Sequence, residues 1–271
     1  MNKVVSDQAD GLRCLMAQHA GKQAARVVAL IGSGHQVGVT SVIMNLAAAL
    51  VQQGQEVLLL DEHEGMNSAT ARCTAAAKAT PPPGNWHQVA AGASSIDAAA
   101  GRMSCGALLL PAGPGRPPQA DIRDCFRGQV ILIDARPDEH GALSVLAAQA
   151  DHVLVVLRPQ AASITAAYAC IKQLHYAHAL QQLRIMLNHA MGGAAAPETQ
   201  RVLANLSAAG SRYLGLALEP AGCVAADPQL MHAQRLKLNV VEAFQTSAAA
   251  IDLRRIAAQL LQWPRQPLRV A

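Results

Sequence analysis

The sequence predicts an α/β protein, a doubly wound and mostly parallel sheet preceded by a short N-terminal helix. Three observations point there. Short runs rich in Val, Leu and Ile recur along the chain, longer helical stretches separate them, and a glycine-rich turn joins the first run to the first of those helices. Runs that are apolar at consecutive positions suit strands buried on both faces. Their alternation with helices reads as βαβ units in one domain.

The strands are expected at 26–31, 56–60, 106–110, 130–134, 152–157, 184–188 and 213–217, and the helices at 40–53, 120–125, 141–150, 163–179 and 197–209, with a last helix at 247–263. Pro/Gly-rich stretches at 79–84 and 111–118 read as loops, with short, weakly periodic helices between them. This organises the chain as a leader and linker at 1–25, the main domain at 26–264 and a tail at 265–271.

With 271 residues, the chain can bury a sizeable core without disulfides or metals. Charged residues make up 15% and hydrophobic residues 51%, which excludes a disordered chain. Aromatics are only 3%, too few for stacking platforms on single-stranded nucleic acid. The net charge of +4 is scattered, and no nucleic-acid partner is expected. Six widely spaced cysteines with no CxxC read as reduced thiols in the cytoplasm. No apolar stretch approaches the ~20 residues of a membrane span.

In the leader, Ser6 or Asp7 is placed to cap a helix whose one face carries Gln8, Leu12, Leu15, Met16 and His19. A helix of about 14 residues is marginal alone in water, so it is expected to be loosely attached or to fold on a partner.

After the first strand comes Ile31-Gly32-Ser33-Gly34-His35-Gln36-Val37-Gly38-Val39-Thr40-Ser41, then a helix. Strand, glycine-rich turn, Gly-x-Thr-Ser and helix is the layout of a phosphate cradle, in which backbone N–H groups and the helix N-terminus face the anion. Gly34, Gln36, Val37, Gly38, Thr40 and Ser41 are the candidate phosphate-binding residues. Asp61 and Asp134 end later strands, where ligands sit in open α/β sheets. Thr40, Asp61 and Asp134 form the candidate magnesium set if a nucleotide binds.

These residues resemble the MinD/ParA-type P-loop ATPases, whose deviant Walker A pattern is KGGxGK[TS]. Aligned on Val37-Gly38-x-Thr40, the signature lysine falls on Gly34 and the loop lysine on Val39. The family's DxD motif matches Asp61-Glu62-His63, with histidine in place of its second aspartate, and the resemblance associates that aspartate or its neighbour with water activation. A charged hydrogen bond contributes about 1.5–3 kcal/mol. Losing two weakens nucleotide binding by about 10²–10⁴-fold, so ATP or ADP with Mg²⁺ is expected to bind weakly or not at all. Efficient hydrolysis is not expected, since the transition state also loses its main cationic stabiliser apart from magnesium. No catalytic residue is assigned for ATP hydrolysis, Asp61 being the residual candidate.

Three further stretches narrow the resemblance. Asp7-Gln8-Ala9-Asp10-Gly11-Leu12-Arg13 resembles the DQAxxLR element before the ATPase domain of the FlhG (FleN) family, MinD-like regulators of flagellar placement and number. Ser163 to Lys172 resembles that family's T-D-A-Y-A-x-I-K helix, with Ala166 in place of the aspartate. Asn188 matches the strand-end asparagine that contacts the nucleotide base. The resemblance implies that the leader binds FlhF, a signal-recognition-type GTPase, and stimulates its GTP hydrolysis. Asp7, Gln8, Ala9, Leu12 and Arg13 are then the partner-binding residues, the Gln8 amide serving the attacking water.

The last helix carries Leu253, Ile256, Leu260 and Leu261 at helical spacing, opposite Asp252, Arg255, Gln259 and Gln262. The resemblance implies a membrane-contacting amphipathic helix, but few basic residues flank it, and core packing is the favoured reading. His175 and His178 lack a third ligand at sensible spacing, so metal coordination by histidine is not expected. Glu62 and Glu64 read as solvated loop charges.

The expectation is therefore a FlhG-like regulator of flagellar assembly that acts by protein binding, with FlhF and flagellar basal-body or regulatory proteins as partners. It is placed in the cytoplasm, with peripheral contact at the inner membrane or cell pole at most. The alternatives are an active MinD-type ATPase cycling at the membrane, or an ATPase-like accessory protein of another envelope machine such as polysaccharide export.

Overall fold

The computed structural model describes residues 24–34, 36–74, 76, 78–115, 119–194 and 196–264. The leader residues Asp7, Gln8, Ala9, Leu12 and Arg13, and the tail, lie outside the described residues. One eight-stranded sheet organises the described chain, in the order β3-β4-β2-β5-β1-β6-β7-β8. Its strands are β1 (Arg26–Gly32), β2 (Val57–Asp61), β3 (Gly101–Arg102), β4 (Leu108–Pro111), β5 (Val130–Asp134), β6 (His152–Leu157), β7 (Gln182–Ala190) and β8 (Ala217–Ala225). All neighbours pair in parallel except β3, which runs antiparallel to β4.

The strands are apolar throughout because each face has its own layer of helices. In β1, Val27, Ala29 and Ile31 point into one core while Val28 and Leu30 point into the other. Ile131 and Ile133 of β5 follow the first set, Val130 and Leu132 the second. On the first face lie α3 (Trp86–Ala90), α4 (Ile96–Ala99), α5 (Ile122–Cys125), α6 (Ala161–His178) and α7 (Pro197–Leu214). The second face is covered by α1 (Val39–Gln52), α2 (Ala69–Thr74), α8 (Pro228–Arg235), α9 (Val240–Ala243) and α10 (Ala248–Leu260). Crossovers to both faces leave β1 between β5 and β6, and its carboxyl end is where open α/β sheets bind ligands.

Three expectations are corrected. Residues 213–217 are not a strand: α7 runs on to Leu214, Gly215 ends it at φ 63, and β8 begins only at Ala217. Residues 141–150 are not an α-helix and hold a single 3₁₀ turn, Ala147–Gln149, held by the Ser144 side chain on the Ala147 N–H. Asp252 is not on a solvated face. It is buried, accepts the Ala225 N–H at 3.0 Å and pairs with the half-exposed Arg255.

The last helix is a core helix, as its stripe suggested. Leu253, Ile256 and Leu260 are buried against α1 and β8. Its end is fastened to the amino-terminal edge of the sheet. The buried Arg26 guanidinium donates to the Trp263 and Leu261 carbonyls, His152 meets the Trp263 ring edge-on, and Arg184 lies 4.1 Å over that ring. Among the described residues no helix is long and apolar enough to cross a membrane.

Candidate functional site

The site forms where β1 turns into α1. Ser33 is buried and its N–H is held by the Val156 carbonyl at 3.0 Å, which fixes the start of the turn against β6. Gly34 and Gln36 are exposed, and Gln36 stands where the KGGxGK pattern has its second glycine. The turn still demands a left-handed backbone there: Gln36 has φ 59, a conformation costing about 1–2 kcal/mol for a residue with a Cβ. Gly38 caps α1 at φ 88, and its carbonyl accepts the Val42 N–H at 2.9 Å. No side chain caps this helix and no acidic residue stands in its first turn, so its N-terminal dipole and free N–H groups face the crevice unopposed.

Asn188, ending the regular part of β7, lies behind the turn. Its Nδ2 donates to the Val37 carbonyl at 2.8 Å, and its Oδ1 accepts the His189 N–H. The buried amide that the resemblance assigns to the nucleotide base thus holds the phosphate turn here.

Asp61 and Asp134 are direct neighbours in register across β2 and β5. Both are buried. Asp61 Oδ2 accepts both the N–H and the hydroxyl of Thr70, at 2.7 and 2.6 Å, and Oδ1 accepts the His63 N–H. Burial nonetheless holds its carboxyl above the ordinary aspartate range, the Thr70 bonds opposing it. Asp134 has no hydrogen-bond partner on either oxygen among the described residues; its near neighbour is His63, whose Nε2 stands 3.4 Å from Oδ1. The Asp134 carboxylate holds the His63 imidazole above the usual histidine range, against partial desolvation.

Glu62 is another correction. It is no solvated charge: it accepts the Ser144 hydroxyl and the Arg136 N–H, and burial raises its carboxyl. Glu64 is exposed, as expected. His175 and His178 are structural, bonding the Leu180 carbonyl and the Leu143 N–H. No cluster of three potential metal ligands occurs among the described residues. Burial pushes the Cys73 thiol up to about 12 and those of Cys105, Cys170 and Cys223 up to about 11, which keeps these thiols protonated and unreactive.

One residue at the site escaped sequence reasoning. Arg72, in α2, donates from Nη1 to the Ser41 hydroxyl at 3.0 Å. Nothing in the local spacing of Ala69-Thr70-Ala71-Arg72-Cys73 signals this, because the contact is tertiary.

Magnesium, which the resemblance implies, is a poor fit to this donor set. Three protein donors already occupy the oxygens of Asp61, and the carboxylate of Asp134 faces an imidazole. A divalent cation needs free oxygen ligands around it. Thr40 and Ser41 sit correctly in the first turn of α1, but Asp61 is satisfied from within the chain, and Asp134, unpartnered on both oxygens among the described residues, has His63 beside it where the family motif has a second carboxylate.

No protein-family model matches the chain. Among curated proteins, the antiactivator FleN of Pseudomonas aeruginosa is 27% identical over 264 residues, covering 92% of this chain and 91% of that protein. Among solved structures, a chain of the MinC:MinD cell division protein complex of Aquifex aeolicus aligns over 91% of this chain and all of its own length, with TM-score 0.66 and 19% identity. The septum site-determining protein MinD of Pyrococcus horikoshii, solved with Mg-ADP, aligns over 87% of this chain and 96% of its own length, with TM-score 0.59 and 17% identity. The chain thus carries the MinD/ParA-like P-loop fold and, along nearly its whole length, is similar in sequence to the FlhG/FleN-type proteins.

Proposed function

We propose that the chain is a FlhG-like regulator of flagellar number and placement that works by binding other proteins. The observation that carries this reading is the similarity to the antiactivator FleN across 92% of the chain. It is joined by the Asp7-to-Arg13 element. In this reading the leader engages an FlhF-type GTPase and raises its GTP hydrolysis. Gln8 orients the attacking water, and Leu12 and Arg13 anchor the contact. The folded domain presents surfaces to flagellar basal-body or regulatory proteins, while its own phosphate site turns over nucleotide poorly or not at all. Residues Gly34 and Val39, in place of two lysines, support that last point. The protein works in the cytoplasm, with any membrane contact peripheral.

The test is the GTPase rate of purified FlhF from the same cell with the full-length chain added, with Gln8→Ala as the control. Stimulation that is lost in Gln8→Ala supports the reading. No stimulation by the full chain refutes the activator role. Unchanged flagellar number on deletion of the gene refutes the regulator reading as a whole. Sustained Mg-ATP turnover by the chain alone favours an active MinD-type ATPase instead.

A further inference from the structure

A cation stands beside the phosphate turn, which lost its two lysines. Asp61 at the end of β2 accepts the Thr70 N–H and hydroxyl, and so anchors the first turn of α2 beside the sheet. Two residues on, Arg72 reaches across to α1 and donates to the Ser41 side chain at 3.0 Å. Ser41 is in the first turn of α1, where the free N–H groups gather. Among the described residues no carboxylate lies within ion-pair distance of Arg72. Its hydrogen-bond partner is a neutral hydroxyl and the adjacent Cys73 thiol is protonated, so no group in direct contact neutralises the guanidinium. Partial burial strips water from it.

A second feature points the same way. Asp134 is wholly buried, its two oxygens lack hydrogen-bond partners among the described residues, and no cluster of three potential metal ligands occurs among those residues. The positive groups around it come from the chain: the His63 ring at 3.4 Å, and Arg72, whose charge its field stabilises. Where related proteins would use lysines and a divalent ion, this crevice holds a fixed arginine.

We propose that Arg72 supplies the positive charge of the phosphate turn, and that the cradle formed by Gly34 and by residues 36–41 binds the phosphate chain of a nucleotide without a divalent cation. Arginine suits this task. Its planar fork presents several donors, so one N–H can keep Ser41 while others meet phosphate oxygens. Loss of the two lysines then redirects the site rather than emptying it, because the charge arrives from α2 instead of from the turn. One cation in place of two lysines and a metal leaves the grip weaker than in an intact P-loop, and suited to a ligand held rather than cleaved.

The test is calorimetry on the full chain with ADP, ATP and pyrophosphate, each in millimolar magnesium and again in excess EDTA. ADP or ATP binding that changes by no more than about twofold on chelation is the expected result. Arg72→Gln is expected to weaken it about tenfold or more, and Arg72→Lys to restore part of the loss. Pyrophosphate binding equal to that of ADP assigns the site to a bare phosphate chain and overturns the nucleotide half of the proposal. Binding only with magnesium, equal binding by Arg72→Gln, or no binding at millimolar ligand overturns it entirely. The chelation arm needs no variant, so a folding defect in Arg72→Gln leaves the question decidable. Stimulation of the GTPase partner through the leader is measured separately, so either idea can fail alone.

Discussion

The side-chain amide of Asn188 donates to the carbonyl of Val37 at 2.8 Å, joining the end of β7 to the phosphate turn across 151 residues of sequence. The bond is buried. Asn188→Ala is therefore expected to lower stability by about 1–3 kcal/mol, the cost of leaving a buried acceptor unpaired. Urea unfolding measures this, with an unchanged slope showing that the variant still folds as a unit. A variant as stable as the parent means that water reaches Val37 and that the turn is not held from β7.

Gly38 reads the same relationship from the other side. A Cβ at this position would stand 2.6 Å from Asn188 Nδ2, and the backbone there has φ 88. Gly38→Ala is expected to cost about 2 kcal/mol or more, combining a left-handed alanine with a steric clash. In the Asn188→Ala background the clash disappears while the backbone strain remains. A double-mutant cycle is thus expected to show a coupling above about 0.5 kcal/mol between these two positions. Additive losses would assign the whole effect to φ.

The central strands were legible because apolar β-branched runs between polar breaks have few other readings: β5 and β6 fall at 130–134 and 152–157 as expected. β8 was not, because Pro220 and Gly222 interrupt its apolar pattern and the strand accommodates them with register shifts against β7. The helix before it simply continues until a glycine allows a left-handed turn. Turn, Asp61 and Asp134 were visible as residue types at strand ends. Their partners were not, since Arg72 on Ser41 and Asn188 on Val37 are contacts between distant segments. Asp252 misled for a related reason. A carboxylate at the border of an apolar stripe looks solvated until β8 supplies the N–H that it accepts.

That carboxylate gives a third prediction. Asp252 Oδ2 takes the Ala225 N–H at the last residue of β8, and Oδ1 meets Arg255. Asp252→Ala is expected to destabilise by about 1–3 kcal/mol, because the buried N–H loses its acceptor. Arg255→Ala is expected to cost less than about 1 kcal/mol, since that side chain is half in water. Thermal unfolding of the two variants separates the roles, and equal losses would mean that the bond to β8 adds nothing beyond the ion pair within α10.

Acid should loosen the seam between the last helix and the sheet. His152 lies among Trp263, Arg184 and the Pro264 carbonyl, and burial lowers its imidazole below the ordinary histidine value, with the Arg184 charge adding to this and the Pro264 bond opposing it. The folded protein thus binds fewer protons here than the unfolded chain does. The neutral ring's contribution is present above the unfolded value of about 6.5 and is lost as pH falls through the folded value, with a slope of at most about 1.4 kcal/mol per pH unit. Urea unfolding between neutral pH and mild acid should show this decline in the parent and a flatter profile in His152→Gln. Parallel profiles would place the acid sensitivity elsewhere.

Restoring the lysines examines how much of the old site survives. Gly34 is exposed, and a Cβ there would meet only the Ala166 Cβ at an ordinary 3.9 Å. Val39 opens α1 half-exposed. Neither site resists a longer side chain, so Gly34→Lys with Val39→Lys is expected to fold and to tighten Mg-ATP binding by about 10²–10⁴-fold, the inverse of the loss inferred from two missing charged hydrogen bonds. With both lysines present, Arg72→Gln should cost less affinity than it does in the parent, because the phosphate chain no longer depends on a charge from α2. No gain from the lysines would mean that the left-handed Gln36 and the occupied Asp61 have moved the cradle away from a triphosphate-binding shape, and that charge alone is not what it lacks.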